Sequence, residues 1–447
     1  MPKFLHSVKL EQDKCLGCTN CIKRCPTEAI RVRDGKATII SERCIDCGEC
    51  IRICPHKAKR ALYDTFESIY DFKYKIALPA PALFGQFDNL DDIDLVLTGL
   101  IEIGFDAVFE VSRAAEIISE VTRRFFAERH KEGRRPGEHP IISTACPAVV
   151  RLIAVRFPYL SDYLLPILAP VELAARIARA DAKKKHPDLS DEDIGVFFIT
   201  PCPAKVSYIR EPIGVDHTAI TGALPITDIY LRLISAMPHI KKSLPLSRSG
   251  VIGISWATTG GEAAALLDEK YLAADGIENV IRVLDEIENE NFSGLDFIEL
   301  NACSGGCVGG ALTMENPYIA KARLQQLRKF LPFSQNTVET DGEGENHIEW
   351  SQQIEENRAM RFSDDKKTAI EMRVKMNRIA KSLPGLDCGS CGAPSCRALA
   401  EDIVRGEARE SDCIFRMREK IQQIFSSLAD IQHIDISAQD TQNKEGE

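Results

Sequence analysis

The sequence predicts an α/β protein: a large central domain with mostly parallel sheets, a small α+β module before it and a small helical module after it. Three observations carry this. From about Lys73, short apolar runs alternate with helical stretches, the pattern of a layered α/β fold. All sixteen cysteines fall into four sets of four, two crowded at the N-terminus, one spread through the middle and one near the C-terminus. After Pro332 the composition turns polar and acidic, and 341–345 (DGEGE) reads as an exposed linker. The expected segments are therefore 1–72, 73–332, a linker and helix over 333–380, and 381–447, including a tail frayed after Ser427.

In the first segment, 15–26 read CLGCTNCIKRCP and 44–55 read CIDCGECIRICP, and each cysteine of the second copy follows its counterpart by 29 residues. This is the run of two-cluster ferredoxins, in which the fourth Cys of each copy ligates the other copy's cluster. One [4Fe-4S] cluster is assigned to Cys15, Cys18, Cys21 and Cys54, the other to Cys44, Cys47, Cys50 and Cys25. Zinc is the competing metal for C-x2-C, but two interlocked runs of this kind are poor zinc ligands. Between the copies, Ile30–Arg33, Asp34-Gly35 and Ala37–Ile40 spell a hairpin with a tight turn.

In the central segment the order is strand Ile76–Leu78, helix Leu90–Ile103, strand Ala107–Val111, helix Ala114–His130, then strands Ile141–Thr144, Ile194–Thr200 and Leu295–Leu300. Cys146, Cys202 and Cys303 each follow the carboxyl end of one of the last three strands, the edge where parallel sheets bind ligands. Cys307 follows in Cys303-Ser304-Gly305-Gly306-Cys307-Val308-Gly309-Gly310, whose glycines let backbone approach a bulky cofactor. Four buried core thiols are the plain alternative. At the C-terminus, Lys367–Ser382 is an amphipathic helix with Met372, Met376, Ile379 and Leu383 on one side. Cys388, Cys391, Cys396 and Cys413, with a helix from Arg397 to about Arg409, fit a further [4Fe-4S] site, with zinc as the alternative.

With 447 residues, 44% hydrophobic and 27% charged, the chain has the length and composition for a large core. A net charge of -10 argues against a nucleic-acid partner, which needs a clustered basic surface. No apolar run nears the ~20 residues of a membrane span, and no signal peptide precedes Cys15. Grouped free thiols then point to a reducing cytoplasm.

The segments Thr144-Ala145-Cys146-Pro147, Pro201-Cys202-Pro203-Ala204-Lys205 and Cys303–Gly310 resemble the three signature loops of the [FeFe]-hydrogenases. The resemblance extends through Gly104-Phe105-Asp106, Glu116 and Thr259-Gly260-Gly261-Glu262-Ala263, over roughly 75–315. It implies a two-lobed domain in which Cys146, Cys202, Cys303 and Cys307 hold the cubane of an H-cluster. Cys307 would also bridge to a di-iron [2Fe] unit with CO, CN and a dithiolate, and Lys205 would donate to a cyanide. Pro79, Ala80, Ala145, Gly305, Gly306, Gly309 and Gly310 would line that cofactor. With three accessory clusters, the implied activity is interconversion of H2 with protons and electrons, under anaerobic conditions.

The departures from that pattern are informative. Ala145 replaces the Cys that relays protons in high-turnover relatives, Ala80 replaces a Ser, Thr200 and Asn301 replace methionines, and Tyr208 replaces a Glu. A lost relay typically costs ~10²–10⁴-fold in rate. These changes resemble the sensory groups of the family, and the chain is too short for the PAS domain some of them carry. The leading expectation is a slow H2 or redox sensor that signals through a separate kinase or phosphatase. A ferredoxin-linked catalytic hydrogenase and an iron–sulfur protein without the di-iron unit remain as alternatives. Maturation proteins and a ferredoxin or other redox partner are implied for the first two. Glu110, Glu116, Glu211 and Glu262 are candidate substitute relays.

Overall fold

The computed structural model describes residues 6–131, 139–292, 294–337 and 348–442, with side-chain surroundings up to Leu428. The linker expected at 341–345 lies outside the described residues. The chain forms two compact units, Met1–Glu11 with Ser41–Ala359, and Gln12–Ile40 with Met360–Glu447. This grouping places the two cysteine repeats in different units and cuts across the segments 1–72 and 333–380. Among the described residues, no helix is long and apolar enough to cross a membrane.

The first unit is built on two parallel sheets. One runs in the order Ala107–Val108, Tyr74–Pro79, Ile194–Thr200, Gly222–Pro225; the other runs Tyr271–Asp275, Phe297–Asn301, Ile141–Ile142. Strand Ile194–Thr200 is buried at every residue, as a strand covered on both faces must be. Its period-2 alternation sends Ile194, Val196 and Phe198 into one core and Phe197 and Ile199 into the other. Two expected strands are shorter than the sequence suggested. Val111 opens the helix Val111–Lys131, which ends the strand at Val108. Ser143 still donates its N–H to Ile298 O (2.9 Å), but Thr144 turns its hydroxyl to Leu165 O (3.0 Å) and leaves the sheet.

The cysteine repeats share a backbone as well as a spacing. Gly17, Thr19 and Glu28 have positive φ (66°, 64° and 50°), and so do Asp46, Gly48 and Lys57 at the matching positions (55°, 79° and 49°). Each repeat then makes the short helix Asn20–Lys23 or Glu49–Arg52. Each fourth sulfur accepts the same local bond, Ala29 N to Cys25 Sγ and Ala58 N to Cys54 Sγ, both at 3.2 Å. Non-glycine residues at positive φ cost energy, so their recurrence marks a geometry that the loop requires.

In the second unit, strands Ile30–Arg33 and Lys36–Ile39 pair antiparallel. Asp34 and Gly35, both at positive φ, make the tight turn between them. Helix Lys366–Ser382 is capped by Asp365, which accepts from Thr368 N (2.8 Å). Helix Cys396–Arg405 is capped by Ser395 and ends at Gly406, φ 81°. Met376, Leu383, Leu399 and Cys413 share its core. The hairpin grips this core: Val32 N donates to Gly392 O (2.8 Å), and the buried Arg31 and the half-buried Arg33 both pair with Asp402 (2.7 and 2.6 Å). Asp402→Ala strands the buried Arg31 charge and is expected to cost about 3–5 kcal/mol in chemical denaturation of the intact protein. Helix Ile414–Gln442 runs through most of the segment expected to fray after Ser427.

Candidate metal centre

Two of the central cysteines sit at helix N-caps. Cys146 precedes Pro147–Arg156 and Cys202 precedes Pro203–Arg210, and in both the next residue is the proline that suits a first helical turn. Thr200 fixes the second corner, its hydroxyl donating to Cys202 O (3.1 Å) and accepting from Cys202 N (3.3 Å). Cys202 thus comes from the four-stranded sheet, while Cys146 and Cys303 come from the edge of the three-stranded one. Cys307 begins a short 3-10 turn after Gly305 and Gly306, whose φ values of 83° and 90° favour glycine. A Cβ on Gly309 or Gly310 would lie 2.1 Å from Ser304 O or Pro201 O. At these two positions the close approach that demands glycine is to the protein's own backbone.

The four sulfurs are close enough to repel one another electrostatically. Burial pushes the Cys303 thiol up to about 12 and the Cys307 thiol up to about 11, and the other cysteines add to both. Four thiolates here need a compensating positive charge, and thiolates are the metal-binding form. The donor set therefore fits an iron–sulfur group.

Lys205 supplies part of that charge. Its Nζ donates to Ala145 O (3.3 Å). Burial opposes its charge, yet Cys307, Cys202, Cys146 and Cys303 outweigh burial and raise its pKa. A lysine in the first turn of a helix works against the helix dipole. The sulfurs in front of it explain its place.

Two groups that sequence reasoning missed brace the elements that carry these cysteines. Arg52 Nη2 donates to Cys303 Sγ (2.9 Å) and to Gly309 O (2.8 Å). Asp46, fully buried, accepts from Ser7 N (3.0 Å), Val8 N (3.1 Å) and the Ser207 hydroxyl, and pairs with Arg151 (3.4 Å). It pins the second cysteine repeat to the helices that start at Cys146 and Cys202. Neither residue stands out in sequence, because each lies inside a motif already explained by its cysteines.

Of the four candidate relays, only Glu262 reaches the centre. The Ser143 hydroxyl donates to Glu262 Oε2 (2.6 Å) and accepts from Ala145 N (3.2 Å). Burial, then the adjacent Glu299 carboxylate, pushes the Glu262 carboxyl well above the usual range. Glu299 itself accepts from Gly260 N and Ala263 N, both 2.9 Å, and from Asn301 Nδ2 (2.7 Å). Glu116 is a structural anchor, accepting from Gly250 N, Ser334 Oγ, Gln335 N and both Asn336 nitrogens. Glu110 is buried and accepts from Arg248 N (2.6 Å), and Glu211 ends the helix Pro203–Arg210. Pro79 pairs in register with Ile199, which sets the buried Ala80 level with Thr200 at the same sheet edge.

Residues 73–220 and 253–311 match the family model of the iron only hydrogenase large subunit, C-terminal domain. The chain carries this hydrogenase domain. Residues 7–55 match a 4Fe-4S dicluster domain and 383–415 the FeS family of Fe-S cluster domains, flanking the hydrogenase domain on both sides. The chain is 26% identical over 370 residues to the periplasmic [Fe] hydrogenase large subunit of Nitratidesulfovibrio vulgaris, covering 69% of this chain and 86% of that protein. It is 24% identical over 405 residues to iron hydrogenase 1 of Clostridium pasteurianum, covering 74% and 69%. A solved [FeFe]-hydrogenase of Chlamydomonas reinhardtii superposes with a TM-score of 0.44 at 17% identity, covering 58% of this chain and 84% of that one.

Proposed function

We propose that this chain binds H2 and interconverts it with protons and electrons at an H-cluster held by Cys146, Cys202, Cys303 and Cys307, turning over slowly as an H2 or redox sensor in the cytoplasm. The observation that carries the reading is the set of four mutually repelling sulfurs around the Lys205 ammonium. A four-iron cubane and a di-iron unit with CO, CN and a dithiolate, held through those four cysteines, would supply the cleavage of H2 when bound. Lys205 fits a donor to a cyanide of such a unit; Pro79, Ala80, Ala145 and the loop glycines would line it.

The protein's own part is orientation and proton movement. Glu262 and Ser143 form a hydrogen-bonded pair that ends at the backbone N–H of Ala145, whose methyl group neither accepts nor gives a proton. That break supports slow turnover. The remaining cysteine sets fit three accessory clusters, with a ferredoxin-type carrier as redox partner, maturation proteins to install the di-iron unit and a separate signalling kinase or phosphatase. A faster, ferredoxin-linked catalyst is the second reading, favoured by the buried Glu262–Ser143 bond.

The test is infrared spectroscopy of anaerobically matured protein, first under nitrogen and then under H2. Bands of CO and CN that shift on admitting H2 are expected, and turnover rate then separates sensor from catalyst. Absence of bands, with a control hydrogenase matured in parallel, would leave an iron–sulfur protein on a hydrogenase scaffold.

A further inference from the structure

Lys23 and Arg52 occupy the same position of the two cysteine repeats, each the last residue of its short helix. Each reaches the ligand loop of a different cysteine set within its own unit. Lys23 Nζ donates to the carbonyls of Asp387 and Pro394, which bracket Cys388 and Cys391 (2.9 Å to Pro394 O). Arg52 Nη2 donates to Cys303 Sγ (2.9 Å) and Gly309 O (2.8 Å), while its Nη1 pairs with Glu49. A surface ion pair with Glu49 would account for one face of the guanidinium alone. The other face is spent on a ligand sulfur and on the backbone of the glycine loop.

We propose that Arg52 is the contact that ties the second ferredoxin repeat to the metal group at Cys303 and sets how readily that group accepts an electron. This rests on the reading of Cys303 as an iron–sulfur ligand. A one-electron reduction adds negative charge to the cluster and its thiolates. A cationic N–H donated to a ligand sulfur offsets that charge, so it favours the reduced state and raises the midpoint potential. Arg52 therefore acts as a positioning residue with an electronic effect. Lys23 donates to the carbonyls of its loop, and its charge reaches the Cys388 sulfur through space without a hydrogen bond to it. The repeat thus carries two uses of one basic position, bonding a loop's carbonyls in one copy and a ligand sulfur directly in the other.

The test is a redox titration of the matured full-length protein, wild type against Arg52→Gln and Glu49→Gln. Infrared CO and CN bands report the Cys303 group, and electron paramagnetic resonance reports the accessory clusters. R52Q is expected to move the midpoint of the Cys303 group to more negative potential while the Cys388–Cys413 cluster stays in place. An unmoved Cys303 midpoint overturns the proposal, as does an equal shift at the C-terminal cluster, which would signal a general disturbance. Should R52Q not retain the group, E49Q decides. Freed of its carboxylate partner, Arg52 then acts more strongly on Cys303, so the Cys303 midpoint should rise more than that of the second repeat. A shift equal or larger at the repeat, where the lost Glu49 charge acts directly, counts against it. Wild-type protein without CO and CN bands would sink the proposed function, and this inference with it.

Discussion

Cys307→Ala is expected to abolish H2 turnover and every H2-dependent infrared change, while the ferredoxin and C-terminal clusters persist. Cys307 stands at the end of a loop held open by Gly305 and Gly306 at positive φ, and its sulfur faces three other cysteines and the Lys205 charge. No neighbouring thiol can substitute, since all sixteen cysteines already belong to one of the four sets. Removing the sulfur leaves Lys205 with one negative neighbour fewer in a site where burial already opposes its charge. Iron content should fall by the complement of the central group alone, and paramagnetic signals of the accessory clusters should remain. Retained H2-dependent bands in this variant would refute the ligand set.

Under the faster-catalyst reading, Glu262→Gln should lower turnover by ~10²–10⁴-fold with the CO and CN bands unchanged, because the amide keeps the shape and can still accept from Ser143 but cannot carry a proton; under the slow reading, where the route already breaks at Ala145, the rate should stay near that of the wild type. A normal rate would remove Glu262 from the proton route and return that role to an unassigned group. The same residue shapes the pH dependence of stability. Its pKa is raised by burial and then by Glu299, so the folded chain keeps a proton that the unfolded chain releases above the ordinary carboxylate value of about 4.3. This contribution is complete below that value and is lost as pH rises through the raised, folded-state pKa. Wild-type stability should therefore decline across that window, and E262Q should decline less. Denaturant melts at several pH values measure the difference.

How much of this was legible beforehand follows the range of the interactions. The cysteine sets and the ferredoxin hairpin are local patterns with specific chemistry, and strand Ile194–Thr200 declares itself by an unbroken apolar run. The strands Gly222–Pro225 and Tyr271–Asp275 carry no such run; they are strands because a neighbour offers parallel pairing. The site residues that escaped notice depend on distant partners in the same way. Arg52 meets Cys303 across 251 positions, and Ser143 meets Glu262 across 119. An arginine and a serine are ordinary surface residues until the fold supplies those partners. Lys205 was legible only through the motif around it, while the reason for its charge lies in four sulfurs drawn from three segments.

The origin of those sulfurs has a mechanical side. Cys202 belongs to one sheet, and Cys146 and Cys303 to the other. A group bonded to all of them would be a rivet between two layers otherwise joined by packing and by hydrogen bonds such as Leu312 N to Pro201 O (2.9 Å) and Lys205 Nζ to Ala145 O (3.3 Å). Like any cross-link between remote points of a chain, it restricts the unfolded ensemble more than the folded one. Metal loading and the rigidity of this domain then rise and fall together. A chain stripped of iron would lose not only its chemistry but the fastening that keeps its halves in register.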